Sequence, residues 1–341
     1  MKFKKIAALS TAVIMSASML VGCGNNKSKE NTDKSFKIGM VADIGGINDE
    51  SFNQSAWEGL QKAEKDFGIE VKVIESKQAS EYLQNMESLL DEDVDMVIGV
   101  GYTMKEDIEK QAKNYPDKQF VLIDETYDSI PENVTPILFR ENEAAYLTGL
   151  VAGKMTENNN VGFIGGIQTP VISRFEYGYK AGVKEANKDC NVNVQYAGTF
   201  SDAAKGKSIA NQMYGNGSDI ILAAAGGTGL GSIESAKEQN KYAIGVDRDQ
   251  SDLAPKNVLT SALKKVNVGV YDTVKEFIEG KLKGGQEKVY GLKEDGVGIP
   301  ETTKNLVQQE IIDYVNSMIE KIKNDEIKVP SNEEEYKSMQ K

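Results

Sequence analysis

Histidine does not occur in this sequence. Without an imidazole there is no Ser–His–Asp triad, no Cys–His pair and no histidine metal site. Cysteine is almost missing as well, present only as Cys23 and Cys190. With Cys23 closing a leader motif, no intramolecular disulfide remains. A lone Cys190 then reads as a small buried apolar residue before it reads as a reactive thiol. Arginine is confined to Arg140, Arg174 and Arg248, too few for a ligand carrying several phosphates. The net charge of −12 disfavours nucleic acid, whose affinity rests on neutralised phosphates. These absences favour a binding protein with no cofactor and no metal over an enzyme. The only enzyme chemistry they leave open runs on carboxylates.

What is present begins with the first residues. Lys2, Lys4 and Lys5 precede a small-residue, apolar stretch from Ile6 to Met19. That stretch is shorter than the about 20 residues a spanning helix needs. Leu20-Val21-Gly22-Cys23 closes it in the pattern of a bacterial lipobox, so residues 1–22 read as a cleaved signal peptide. Cys23 would become the lipidated first residue of the mature chain. Two or more acyl chains hold a protein stably at a membrane, where one does so only marginally. Residues 23–35 continue as a polar tether, and 331–341 read as a similar tail. No later run of about 18 apolar residues follows, so the expectation is a chain anchored outside the cell with all else in water.

From Phe36 onward, short apolar runs alternate with helical patterns. Strands are expected at Phe36–Asp43, Glu70–Glu75, Met96–Gly101, Gln119–Asp124, Val161–Gly165, Val192–Thr199, Asp219–Ala225, Tyr242–Asp247 and Val258–Ala262. Helices are expected between them, for example at Ser55–Phe67 and Phe175–Lys188. This alternation predicts parallel sheets covered on both faces. Gly45-Gly46 with Gly59 and Ala63 is echoed by Gly165-Gly166 with Gly178 and Ala181, which suggests two similar lobes. A further helix, a strand at Lys288–Leu292 and a last helix at Asn305–Lys323 would complete them. The expected division is 36–139 plus 262–284 for one lobe and 140–261 plus 285–330 for the other, with three crossovers.

Ligands of open α/β sheets sit beyond the carboxyl ends of the strands. There the sequence places Asp43, Asp124 and Asp247, with Lys264 the main candidate cation. Ser51 and Gln54 have the spacing of a capping box, which would put Phe52 and Asn53 in the first helical turn. Phe52 reads equally as a core anchor or as a ring at the cleft mouth, while Asp49 reads as turn chemistry. Phe200 occupies a comparable strand end in the second half, preceding Ser201 and Asp202, either of which could cap the next helix. Two facing rings could sandwich a flat ligand. Gly226-Gly227-Thr228-Gly229-Leu230-Gly231 followed by Asp247 loosely resembles a dinucleotide fingerprint. What survives the loose spacing is a glycine loop for sugar oxygens and a carboxylate for a vicinal diol. Three carboxylates would repel a phosphorylated ligand, so a nucleoside fits better than a nucleotide.

The segments DIGGINDESFNQSAWEG (43–59), ENEAAYLTGLVAGKM (141–155), GFIGG (162–166), GVDRDQ (245–250) and TSALKKVNVGVYD (260–272) together resemble the basic membrane protein family. Its PnrA-like members are substrate-binding lipoproteins of ABC transporters. The resemblance implies a type I periplasmic-binding fold whose two Rossmann-like lobes close over a purine nucleoside. It implies Phe52 and Phe200 as stacking rings, with Asp43, Asp124 and Asn53 near the base. Gly227, Asp247 and Lys264 fall on the ribose side. Lys264 is chosen over Lys265 by the family pattern, and Asn267 stands where many relatives carry Asp. The implied partners are a nucleoside, a membrane permease and, through the anchor, the membrane; a monomer is expected. One rival is the same fold holding a sugar or sugar-like signal. Another is a nucleoside hydrolase built on aspartates, for which DEDVD (91–95) is the nearest acidic cluster.

Overall fold

The structure, a computed structural model, describes residues 36–340. The leader, Cys23 and the tether lie outside the described residues. The chain first runs through β1 (Lys37–Ala42), α1 (Phe52–Phe67), β2 (Glu70–Glu75), α2 (Tyr82–Asp91), β3 (Met96–Val100), α3 (Lys105–Asn114), β4 (Gln119–Ile123) and β5 (Val134–Phe139). It continues with α4 (Glu141–Met155), β6 (Asn160–Gly165), α5 (Pro170–Ala186), β7 (Asn191–Tyr196), α6 (Ala203–Gly215), β8 (Ile220–Ala224), α7 (Gly227–Gln239), β9 (Tyr242–Asp247) and β10 (Val258–Lys264). It closes with α8 (Val266–Ile278), β11 (Lys288–Tyr290), β12 (Val297–Gly298), α9 (Gln309–Lys323) and α10 (Glu333–Met339).

Two sheets result, ordered β11-β5-β4-β3-β1-β2 and β12-β10-β9-β8-β6-β7. The first is parallel throughout, and the second has one antiparallel pair, β10 with β12. Central strands such as KIGMVA and MVIGV are apolar along their length because helices cover both faces. Helix α1 buries Ala56, Leu60 and Ala63 on one stripe and ends at Gly68, whose φ of 65° only glycine adopts freely. Helix α4 is buried from Glu141 to Gly153, because α5, α9 and β10 all pack on it.

The crossovers exchange helices between the two halves. After β5 the chain enters α4, which packs on α5 beside the second sheet; after β10 it enters α8, which packs back on α1. The two helix pairs share one contact. A Cβ on Gly59 would lie 2.3 Å from Asn267 O, and a Cβ on Gly178 would lie 2.3 Å from Asn142 O. Only glycine allows that approach.

Several sequence expectations shift. β10 extends to Lys264 in the second sheet, and β11 pairs with β5 in the first. The sheets therefore divide the chain after 264 and 290, not at 262 and 285. β5, absent from the expected strands, carries Pro136 and pairs on both sides. The residues expected to form a tail instead make α10. Its cap is Asn332, whose side chain accepts from Glu335 N, and the Tyr336 ring lies 5.8 Å from that of Tyr177. Helix α5 starts at Pro170, five positions before the expected Phe175, because Thr169 caps it and proline suits its first turn.

Candidate functional site

The cleft is assembled from strand ends. β1 ends at Ala42, and the following loop folds over Asp49, whose carboxylate accepts from the backbone N–H of Ser51 (2.9 Å), Asn53 (2.9 Å) and Gln54 (3.1 Å). Asp49 thus caps α1, in place of the expected Ser51 box. The freed Ser51 hydroxyl donates across the cleft to Asp247 Oδ2. Asn53 is buried, and its amide donates to Asp43 Oδ1 (2.8 Å) and Asp49 Oδ2 (3.0 Å) while accepting from Asp43 N (3.0 Å). Its two N–H groups are spent on fixing the acids.

Asp124 follows β4 and Asp247 ends β9, equivalent positions in the two sheets. Both adopt left-handed backbone, with φ of 73° and 66°. Such strain at a non-glycine residue is uncommon and turns the side chain off the strand. Lys264, the last residue of β10, is 2% exposed and hydrogen-bonds Asp124 Oδ2. Its ammonium lies 4.5 Å from the Phe52 ring centre and 5.5 Å from that of Phe139, a cation–π arrangement. Asp124 Oδ1 is buried with no hydrogen-bond partner among the described residues. Phe200 follows β7, and its ring lies so close to Gly166 that a Cβ there would approach it to 2.2 Å.

Electrostatics follow from this burial. Desolvation raises Asp43 to about 6 against the N–H donors of Gly45 and Asn53. It raises Asp247 to about 6 against Lys264 and the Ser51 hydroxyl. Burial pushes Asp124 up too, with Lys264 opposing. For Lys264, burial would lower the ammonium, yet Asp124, Glu141 and Asp247 together raise it. Four cleft carboxyls, Asp43, Asp49, Asp124 and Asp247, are therefore set against the one cleft ammonium of Lys264. A ligand offering N–H and O–H donors relieves them, whereas a phosphate would be repelled.

All eight residues expected at the site, Asp43, Phe52, Asn53, Asp124, Phe200, Gly227, Asp247 and Lys264, line one cleft. Phe52 and Phe200 are not topological equivalents, however. Phe52 follows the first strand of its sheet's first unit, and Phe200 follows β7, an edge strand. The glycine run divides its work: Gly226 (φ 53°) turns into α7 and Gly227 faces the cavity, while Gly231 packs tightly on Ala203 of α6. Sequence reasoning missed Val171, Ile172 and Phe175 of α5, which form an apolar wall, and Tyr102 beyond β3. The Thr169-Pro170 pair was the available signal for that wall. DEDVD lies at the start of β3, the end remote from the cleft, where Asp93 meets Lys118 at 2.6 Å and Asp95 accepts from Lys37 N at 3.0 Å.

At the cleft mouth the lobes meet directly. Arg248, just past β9, pairs with Glu50 and with Glu58 of α1 at 3.1 Å, and Gln250 donates to Glu50 O at 2.7 Å.

Two sheets of one strand order enclosing a cleft at their carboxyl edges define a solute-binding protein of the periplasmic-binding fold. Within that class, the chain belongs to the family of PnrA-like substrate-binding proteins of ABC transporters, which it matches over residues 36–333. It is 39% identical to the CD4+ T-cell-stimulating antigen of Listeria monocytogenes, over 96% of this chain and 99% of that one. It is 38% identical to the ABC transporter nucleoside-binding protein BmpA of Lactococcus lactis, over 87% and 91%. The crystal structure of an ABC transporter solute-binding protein from Aeropyrum pernix superposes with a TM-score of 0.82 at 27% identity, covering 89% of this chain and 96% of that one. The family is one of solute-binding proteins, not enzymes.

Proposed function

We propose that this protein captures nucleosides, purine nucleosides foremost, on the outer face of the cell membrane and delivers them to an ABC permease, anchored through lipid on Cys23. The observation that carries this reading is a cavity whose lining brings Phe52 and Phe200 together with Asp43, Asp124 and Asp247 beside the buried ammonium of Lys264. A purine stacks between Phe52 and Phe200. Lys264 already covers one face of Phe52, so the base takes the other. Asp124 Oδ1 and Asp43 accept hydrogens from the base, and Asp247 accepts from the ribose diol. Ligand bridging both lobes favours the closed arrangement by shifting an existing balance. Micromolar affinity needs about 8 kcal/mol, within reach of stacked faces and several buried hydrogen bonds. The nucleoside-binding relative from Lactococcus lactis supports the same reading.

The test is isothermal titration of the mature chain, stripped of carried ligand by unfolding and refolding. Adenosine, guanosine, inosine and cytidine should bind at micromolar level or tighter, with AMP, ribose and galactose silent. Sugar binding without nucleoside binding would sink the cargo assignment.

A further inference from the structure

Glu141 is fully buried, does not line the cleft, and sits between two cations. Arg174 Nε donates to its Oε2 at 2.6 Å, and Arg174 Nη2 reaches Oε1 at 3.5 Å. Lys264 Nζ stands 3.6 Å from the same Oε1 while hydrogen-bonding Asp124. Charges therefore alternate along a row: Arg174, Glu141, Lys264, Asp124. The row also has a topological meaning. Glu141 is the first residue of α4, directly after one crossover, and Lys264 is the last of β10, directly before another. Only Asp124 belongs to the first sheet's lobe. Arg174 faces a separate cavity beside the crossovers, shared with Arg140 and Lys293.

We infer that Glu141 and Arg174 are positioning residues of the ligand site, a step that rests on the nucleoside reading above. Two buried carboxylates, Asp124 and Glu141, compete for one ammonium. A buried charge without a partner is costly, so the ammonium goes to whichever carboxylate is otherwise less satisfied. Arg174 satisfies Glu141. Lys264 is thereby left on Asp124 Oδ2 and over Phe52, and Asp124 Oδ1 remains the open acceptor. Without the guanidinium, Glu141 draws the ammonium toward itself, and both the Asp124 carboxylate and the Phe52 face lose it.

The experiment is a coupled pair of variants. R174Q should weaken nucleoside binding on the order of tenfold, although Arg174 does not line the cleft. Adding E141Q should restore affinity to within about threefold of wild type, since the competitor for Lys264 is then neutral. R174K, keeping the charge, should stay near wild type. A merely structural role predicts that loss and recovery appear in the melting temperature alone, with the affinity of the folded single variant unchanged. Circular dichroism and thermal melts establish that each variant is folded. Unchanged binding by R174Q, or no recovery in R174Q/E141Q, overturns the inference. A crystal structure of R174Q gives a readout without ligand. Lys264 moved onto Glu141 supports positioning, and Lys264 still on Asp124 refutes it. If wild type itself binds no nucleoside, the functional reading falls, and the R174Q structure still decides the positioning.

Discussion

At the residue scale, burial holds Asp43 and Asp247 at about 6, against 3.8 for a free aspartate. Between those values the folded chain binds more protons than the unfolded one, so stability falls as pH rises from about 4 to 6. The unliganded protein should therefore melt higher at pH 5 than at pH 7.5, and Asp247→Asn should flatten that slope in scanning fluorimetry. An unchanged slope would refute the assignment of Asp247. Ligand binding should follow the opposite course, since donors favour ionised carboxylates, and affinity should drop as pH falls through about 6. Asp247→Asn should also cost ribonucleosides about 1–3 kcal/mol and 2′-deoxyribonucleosides less; an equal loss for both would remove the diol contact. Phe52→Ala and Phe200→Ala should each cost about 1–3 kcal/mol for every base tested by titration. The acids were legible in the sequence because apolar strands point to their own ends. Their strain was not, because nothing in the chain announces a left-handed aspartate. The Asp49 cap was hidden for a related reason: Ser51 and Gln54 satisfy the same spacing rule, and only the cross-cleft pull of Asp247 on the Ser51 hydroxyl decides between them.

At the scale of elements, the helix pairs α1–α8 and α4–α5 depend on glycine at one matched contact. Gly178→Ala drives a methyl into Asn142 O and should destabilise the fold by about 1–3 kcal/mol, read from denaturant unfolding. Gly215→Ala, with open space around its Cβ position, is the control and should not destabilise. Elements whose pattern is regular were readable: β1, β3, β6 and β8 are near-continuous apolar runs. β5 was not, because Pro136 argues against a strand until two neighbours are seen to flank it. α10 was not, because seven polar-rich residues carry little periodicity, and its docking rests on Tyr336 beside Tyr177.

On the scale of the whole molecule, the lobes meet at the cleft mouth through Arg248, Glu50 and Glu58. These are partly exposed pairs, worth about 0–1 kcal/mol. Arg248→Gln should accordingly speed nucleoside release up to about fivefold in stopped flow with little change in melting; release unchanged at low salt would deny the pair any part in closure. Two lobes and three crossovers were readable from the alternating pattern and the glycine echo. The ownership of β11 was not, since three residues at Lys288–Tyr290 carry no mark of which sheet they join.

That exchange of helices and strands sets the order in which the chain can become a protein. The first sheet cannot be completed by its own half. It waits for α8 and β11, which follow the entire second sheet except β12. A ribosome must therefore deliver the chain to about residue 290 before the lobe begun at Lys37 can close. Pairings so distant in sequence carry a large loop-closure cost and slow the final step of folding. Neither half, expressed alone, should reach a cooperative native state, and the protein is born late and all at once.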